Sequence, residues 1–225
     1  MKICIFADIH GNIEAFEKMY FREQDKVDLF LFVGDIFGYF YGQLEILDSF
    51  MTISNLIALR GNHDKYYLTG QDIDTLSDKY GSSYKISLSK KQRKYIENLP
   101  EHMELVFDNK RIAVYHGGPA DYLEQRIYPN SFMDNKILEQ QVDYMILAHT
   151  HYQMLRKVGD MTLINPGSLG QPRDGRGFGY CILETDNGKC NYKTVNINIS
   201  ELIMKVKDVD NDKYVYEYLR KKYSL

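Results

Sequence analysis

Five of the six histidines of this chain, together with Asp8, Asp35 and Asn62, stand at the ends of short apolar runs. The fragments are Asp8-Ile9-His10, Gly34-Asp35, Gly61-Asn62-His63-Asp64, His116-Gly117 and His149-Thr150-His151. Imidazole is largely neutral near pH 7 and offers a lone pair to a transition metal, and carboxylate and carboxamide oxygens supply harder donors beside it. Singly, each fragment is a weak signal. An Asp-x-His after a strand also makes a loop hydrogen-bond pair, and His116 or His149 alone also reads as a satisfied loop or core histidine. Together, five fragments that all follow apolar runs and supply mixed nitrogen and oxygen donors argue for one metal centre. Asp8, His10, Asp35, Asn62, His116, His149 and His151 are the candidate ligands, more than a four-ligand zinc site uses and suited to two ions sharing one carboxylate. Asp35 is the choice for the shared carboxylate, which offsets the repulsion between the cations. Without thiolates the donor set suits manganese, iron, zinc or nickel more than copper(I) or calcium, with manganese the first choice in vitro.

The elements that would position these residues follow from the hydrophobic pattern. Residues 2–7 form an apolar strand, and residues 12–23 carry Ile13, Phe16, Met19 and Tyr20 at helical spacing. The unit repeats: a strand over 27–33 ends at Gly34-Asp35, a helix covers 42–51, and a strand over 56–59 ends at Arg60-Gly61-Asn62-His63. Strands alternating with helices predict a largely parallel sheet, in which the carboxyl ends of the strands open into one crevice. Further along, the pattern predicts a basic helix over 89–99, hairpins joining 103–107 to 111–115 and 178–184 to 191–199, a helix over 131–140, and strands over 144–147, 153–158 and 161–164. Residues 211–225 read as an amphipathic helix whose Arg220, Lys221 and Lys222 make a solvated basic end. The second half is richer in antiparallel strands, so the expected fold class is α/β, two packed mixed β-sheets flanked by helices. At 225 residues and 44% hydrophobic content, residues 1–225 are expected to form a single domain.

The five blocks, taken in order, resemble the calcineurin-like metallophosphoesterases, whose pattern is D-x-H, G-D, G-N-H-[DE], a single histidine and G-H-x-H. The resemblance runs from Asp8 to about Arg176 and extends to the flanking text Asp8-Ile9-His10-Gly11-Asn12 and Asn165-Pro166-Gly167-Ser168-Leu169-Gly170-Gln171-Pro172-Arg173, which looks like the small prokaryotic branch of phosphodiesterases and phosphatases. It implies a four-layer sandwich with one ion held by Asp8, His10, Asp35 and His151 and a second by Asp35, Asn62, His116 and His149. It leaves His63 as a proton donor or electrostatic stabiliser beside the leaving oxygen, a role suited to an imidazole with a pKa near working pH. Asp64 either orients that imidazole or caps the following helix. The chain departs from the family at Ala148, which stands where a glycine is usual, and at Ala7, in place of a frequent serine. Gly38 and Tyr39 stand where the protein serine/threonine phosphatases carry an aspartate and a phosphate-gripping arginine, and the missing guanidinium disfavours phosphoprotein monoesters.

The implied reaction is phosphoester hydrolysis, with a metal-bridging hydroxide attacking phosphorus and His63 assisting the leaving group. A phosphodiesterase acting on small or nucleotide-type substrates is the first expectation. A phosphomonoesterase or a dinucleoside polyphosphate hydrolase is the alternative, and a non-catalytic protein-binding scaffold a remoter one, because fold alone does not set function. Asn62, His63 and Arg173 are the candidate substrate contacts, although Arg173 equally suits a surface salt bridge with Asp174. Phe37, Tyr39, Phe40 and Tyr41 either stack on a base, line the crevice or pack in the core. A net charge of −3 and a pI near 6.1 argue against binding duplex nucleic acid. The short apolar start, broken at Asp8, argues against a signal peptide or membrane partner and for a cytoplasmic protein. Cys4, Cys181 and Cys190 form no C-x-x-C pair and suggest no disulfide framework. Tyr and Phe at the surface leave a homo-oligomer open.

Overall fold

The structure is a computed structural model that describes residues 1–70, 74, 75, 78, 85–209 and 214–223. In chain order the elements are β1 (Lys2–Phe6), α1 (Ile13–Glu23), β2 (Leu29–Val33), α2 (Gln43–Phe50), β3 (Leu56–Leu59), α3 (Asn62–Thr69), α4 (Lys90–Glu97), β4 (His102–Phe107), β5 (Lys110–Tyr115), α5 (Asn135–Leu138), β6 (Tyr144–Ile146), β7 (Gln153–Val158), β8 (Met161–Pro166), β9 (Phe178–Glu184), β10 (Lys189–Val195), α6 (Ile199–Val209) and α7 (Tyr214–Tyr223). Two five-stranded sheets result, ordered β10-β9-β1-β2-β3 and β4-β5-β6-β8-β7. Three strands of each pair parallel, β1-β2-β3 running to the edge of the first sheet and β5-β6-β8 at the centre of the second, and the remaining strands pair antiparallel. This is the expected α/β architecture of two packed mixed sheets flanked by helices. Among the described residues no helix is long and apolar enough to cross a membrane.

Strand alternation builds the layers. Ile3, Ile5, Leu29, Leu31 and Val33 of the first sheet cluster with Ile112, Val114, Ile146 and Ile164 of the second. The intervening Cys4, Phe6, Phe30 and Phe32 turn the other way and pack with Phe16 and Met19 of α1, Leu47 of α2, and Leu202, Val215 and Leu219 of the C-terminal helices. On the far side of the second sheet, Ala113, Tyr115, Met145 and Leu147 lie with Ile127, Met133 and Ile137. Both faces of β1 and β2 are therefore covered, which is why these strands read as continuous apolar runs.

Two elements differ from the sequence expectation. The helix expected over 131–140 shrinks to α5, because the Asp134 side chain caps its start at Ile137 N and Ser131 is tied into a turn with Tyr128. The strand expected over 191–199 stops at Val195, whose partner Phe178 is the first residue of β9, so no ladder continues beyond it. Helix α6 follows, capped by Asn198, which accepts from Ser200 N and Glu201 N and donates to Glu201 Oε1. Of the helix expected over 211–225, α7 covers 214–223, and residues 211–213, 224 and 225 lie outside the described residues.

Candidate metal centre

Each expected ligand sits directly beyond a strand or a helix start, on the edge where the parallel strands end: Asp8 and His10 after β1, Asp35 after β2, Asn62 and His63 at the first turn of α3, His116 after β5, and His149 and His151 after β6. Asp8, His10, Asp35, His149 and His151 all adopt positive φ, between 49° and 70°. Non-glycine residues hold this left-handed conformation only where surrounding contacts impose it, and here it turns the side chains into the site. Two glycines leave room for them. A Cβ on Gly61 would meet Asp35 Oδ1 at 2.0 Å, and one on Gly34, itself at φ +94°, would meet His116 Nδ1 at 2.6 Å.

All seven expected ligands converge and all are buried. The ligating atoms of Asp8, His10 and His151 lie within 4.8 Å of one another, as do those of Asp35, His116 and His149, and those of His10, Asp35 and His63. Asp35 Oδ2 is 3.3 Å from His116 Nε2 and 3.9 Å from His10 Nε2. Asn62 Oδ1 lies 3.0 Å from His116 Nε2.

The hydrogen bonds around the cluster define its chemistry. His10 Nδ1, His116 Nδ1 and His151 Nδ1 lie 2.7 Å from the carbonyls of Phe37, Val33 and Gln171. A carbonyl only accepts, so each Nδ1 carries a proton, and each Nε2 is turned inward toward the cluster. Burial keeps His10 and His149 neutral, lowering their pKa to about 4 and about 3, and His151 lies well below its usual value for the same reason. Burial also opposes protonation of His116, but the Asp35 and Asp8 carboxylates outweigh it and raise its pKa to about 10. Asp8 is held well above the usual carboxylate range by burial, with His116 opposing and Asp35 adding to the rise. Asp35 is pulled well below that range despite its burial, chiefly by His116 and His63.

These observations test the centre for a cation, and the residues fit one. Neither oxygen of Asp8 has a hydrogen-bond partner among the described residues, and Asp35 Oδ2 makes only its ion-pair contacts. A buried carboxylate without partners costs several kcal/mol unless a cation or proton compensates it. Oriented imidazoles, an amide oxygen and two such carboxylates supply that compensation when a divalent ion is present.

His63 differs from expectation in one respect. Its ring lies 4.8 Å from the His10 ring, and burial lowers its pKa to about 3 rather than leaving it near working pH. The side chain is therefore neutral, with one ring nitrogen that donates and one that accepts a hydrogen bond. Asp64 faces the backbone: Oδ1 accepts from Ile36 N and Phe37 N, and Oδ2 from Asp35 N and Gly61 N. It clamps the loop that carries Asp35 onto the start of α3 while closing the capping box of that helix.

The segment 165–170 straps the two sheets together at the site. Asn165 donates to Ala148 O and Thr150 Oγ1, Ser168 Oγ and Gly170 N both donate to Asp8 O, and Asn12 donates to Leu169 O. Of the four aromatics after Asp35, Phe37 stacks on Tyr67 at 4.3 Å and Phe40 joins the core, Tyr41 hydrogen-bonds Glu14, and only Tyr39 reaches the site cavity. That cavity, about 310 Å³, has Asp35, Asn62, His63, His149 and His151 on its floor. Arg173 lines it, and among the described residues no ion pair joins Arg173 to Asp174, whose oxygens accept from Gln153 N and Arg176 N.

Four further wall residues were not expected from the sequence: Tyr66, Glu124, Arg126 and Tyr214. Arg126 Nε lies 3.1 Å from His149 Nε2, and Tyr66 hydrogen-bonds Glu124. Tyr66 was within reach of sequence reasoning, since it follows His63 by three residues on a helix opened by Asn62. The others carry no motif. The basic end of α7 differs too: Lys222, half-buried with its pKa lowered to about 8 by that burial, donates to Pro172 O instead of remaining a solvated cap.

The family model for the calcineurin-like phosphoesterase superfamily domain matches residues 1–188. Two proteins of Methanocaldococcus jannaschii are similar to the chain: the uncharacterized protein MJ0912, 25% identical over 91% of both chains, and "Probable metallophosphoesterase MJ0623", 29% identical over 77% of this chain and 70% of its own. Among solved structures, a metallophosphoesterase from Sphaerobacter thermophilus shares the fold, with a TM-score of 0.79 at 22% identity over 99% of this chain and 100% of that one. The chain belongs to the calcineurin-like metallophosphoesterases and is a metal-dependent phosphoester hydrolase.

Proposed function

We propose that this protein is a dinuclear metal phosphodiesterase acting on small or nucleotide-type substrates, residues 1–225 working as one domain. Asp8, His10, Asp35 and His151 would hold one divalent ion, and Asp35, Asn62, His116 and His149 the second, with Asp35 shared; manganese is the first choice and iron, zinc or nickel the alternatives. When bound, the ions supply an acidified water at neutral pH and positive charge for the phosphoryl oxygens. The observation that carries the reading is the pairing of Asp8 oxygens that have no hydrogen-bond partner among the described residues with three imidazoles whose Nδ1–H groups are tied to backbone carbonyls.

The chain's own residues do the rest. Backbone carbonyls of Val33, Phe37 and Gln171 hold the imidazoles in register before a ligand arrives, so little reorganisation accompanies binding. Neutral His63, at the cavity floor, donates its N–H to the departing oxygen. Arg173 faces the phosphoryl oxygens from the rim, and the loop after Asp35 offers no guanidinium for a monoester dianion, which favours diesters. One observation favours a second reading: Arg126 and Arg173 both line the cavity, and two guanidiniums suit a phosphomonoester or a dinucleoside polyphosphate.

The test is the His63→Ala protein loaded with manganese. Turnover of bis-p-nitrophenyl phosphate falls about a hundredfold or more while metal content stays at the wild-type value. Wild-type turnover in that variant overturns the role of His63. Rates of the wild type on bis-p-nitrophenyl phosphate, p-nitrophenyl phosphate and a dinucleoside polyphosphate separate the two readings.

A further inference from the structure

We infer that the leaving-group side of the cavity is an aromatic subsite completed by Tyr214, which selects substrates whose departing alcohol carries a planar aromatic group, a nucleoside or an aryl alcohol; the inference rests on the phosphodiesterase reading above. His63 marks where the departing oxygen lies, and rings surround it. Tyr39 lies 5.8 Å and Tyr66 5.9 Å from the His63 ring, and Tyr214 stacks on Tyr39 with centroids 5.6 Å apart and planes at 28°. All three tyrosines line the same cavity as His63. Arg126, Arg173 and Glu124 supply the charged part of the wall. The group attached to the departing oxygen thus meets tyrosine faces, against which a planar π-system stacks and an alkyl group does not.

Tyr214 is held there by the fold. Its helix α7 lies beyond residue 188, where the family match ends. Val215 and Leu219 anchor one face of α7 in the core. On the site side, Tyr218 and Lys222 both donate to Pro172 O, in the loop that carries Arg173. Tyr39 sits at φ +63°, a conformation a tyrosine keeps only under imposed contacts, with its ring edge-on to His10 at 4.7 Å. The aromatic wall and the metal-site histidines are therefore built from the same packed rings.

The experiment compares three methyl phosphodiesters whose second alcohol is p-nitrophenol, thymidine or methanol, so that the last carries no planar group, on wild type, Tyr214→Ala, Tyr214→Leu and Tyr214→Phe, all manganese-loaded. Ratios of kcat/KM between substrates are compared across variants, so intrinsic leaving-group reactivity cancels. The aromatic-to-methyl ratio is expected to fall about tenfold in the Ala and Leu variants and to persist in Phe. In parallel, binding of thymidine and of p-nitrophenol to the metal-free proteins is followed by saturation-transfer NMR, with the same tenfold weakening expected in Ala and Leu. Dependence on Tyr214 with thymidine alone assigns a nucleoside subsite, and with p-nitrophenol alone an aryl one. If ratio and binding are both independent of Tyr214 in folded variants, the subsite is rejected. A wild type that hydrolyses no diester yet binds the probes through Tyr214 overturns the phosphodiesterase reading and leaves the subsite standing.

Discussion

Replacing Asp8 by Asn should act on stability in opposite directions with and without metal. Among the described residues both Asp8 oxygens are buried without hydrogen-bond partners, and burial and the Asp35 charge hold the carboxyl well above its usual range. A carboxyl with a raised folded pKa takes up a proton on folding, so the metal-free protein loses stability as pH rises from the unfolded value, about 3.9, through the folded one. Asn at position 8 cannot ionise and removes that loss. At pH 8 the metal-free variant is expected to melt at or above the wild type. Metal reverses the order. For an ion at a thousand times its Kd, binding stabilises the wild type by about 4 kcal/mol, and at roughly 2–4 °C per kcal/mol for a chain of this size the melting temperature rises by about 8–16 °C. Loss of a directly ligating carboxylate should weaken binding by at least about a hundredfold, the upper end of what losing an outer contact costs, leaving about 1.4 kcal/mol at the same ion concentration. The assay is differential scanning fluorimetry with and without manganese, alongside calorimetric titration. A variant that keeps the full metal-induced shift refutes the ligand role of Asp8, and one that melts far below wild type without metal refutes the account of its buried charge.

Two further outcomes follow from other buried carboxylates. Asp64→Ala strips acceptors from four buried backbone N–H groups, of Asp35, Ile36, Phe37 and Gly61, and should cost about 3 kcal/mol or more in urea unfolding of the metal-free protein; unchanged stability with a shifted pH–rate profile would instead make Asp64 a tuner of His63. Glu23 is buried, which raises its pKa, but the Tyr180 hydroxyl at 2.6 Å and the Lys193 ammonium at 2.9 Å outweigh this and hold it below its usual value. Its folded pKa is depressed, so its contribution is present above about pH 4.3 and lost as pH falls through the folded value; Glu23→Gln should lower stability by about 2 kcal/mol at pH 7 and flatten the acid limb of the unfolding curve, and parallel curves for the two proteins would count against the triad.

The sequence was most legible where a local rule and a burial pattern coincide. Apolar runs at β1 and β2 announce strands covered on both faces, and the polar residues that end β1, β2 and β3 announce the crevice, because parallel strands leave their carboxyl ends on one edge. The same logic failed at 131–140 and 191–199, where apolar residues at plausible spacing were overruled by the Asp134 cap and by the end of strand β9. Asp64 shows the limit of motif reasoning: its type and position beside His63 are equally good for a catalytic partner and for a clamp, and only the positions of four amides separate them.

By itself, the sequence determined the donor set, since residue type decides which atoms can bind a cation, and it determined that these donors close successive strands. Tertiary structure alone decided which strands share a sheet: β9 and β10, from the far end of the chain, complete the sheet begun by β1, and segment 165–170 then hangs from Asp8 and Ala148 at once. It alone brought Arg126 and Tyr214 to the cavity. The physical reason is range. Hydrophobic period and capping are set within a few residues, whereas a wall built from residues 39, 66, 126, 173 and 214 exists only once long-range packing has excluded every other arrangement of the same helices and strands.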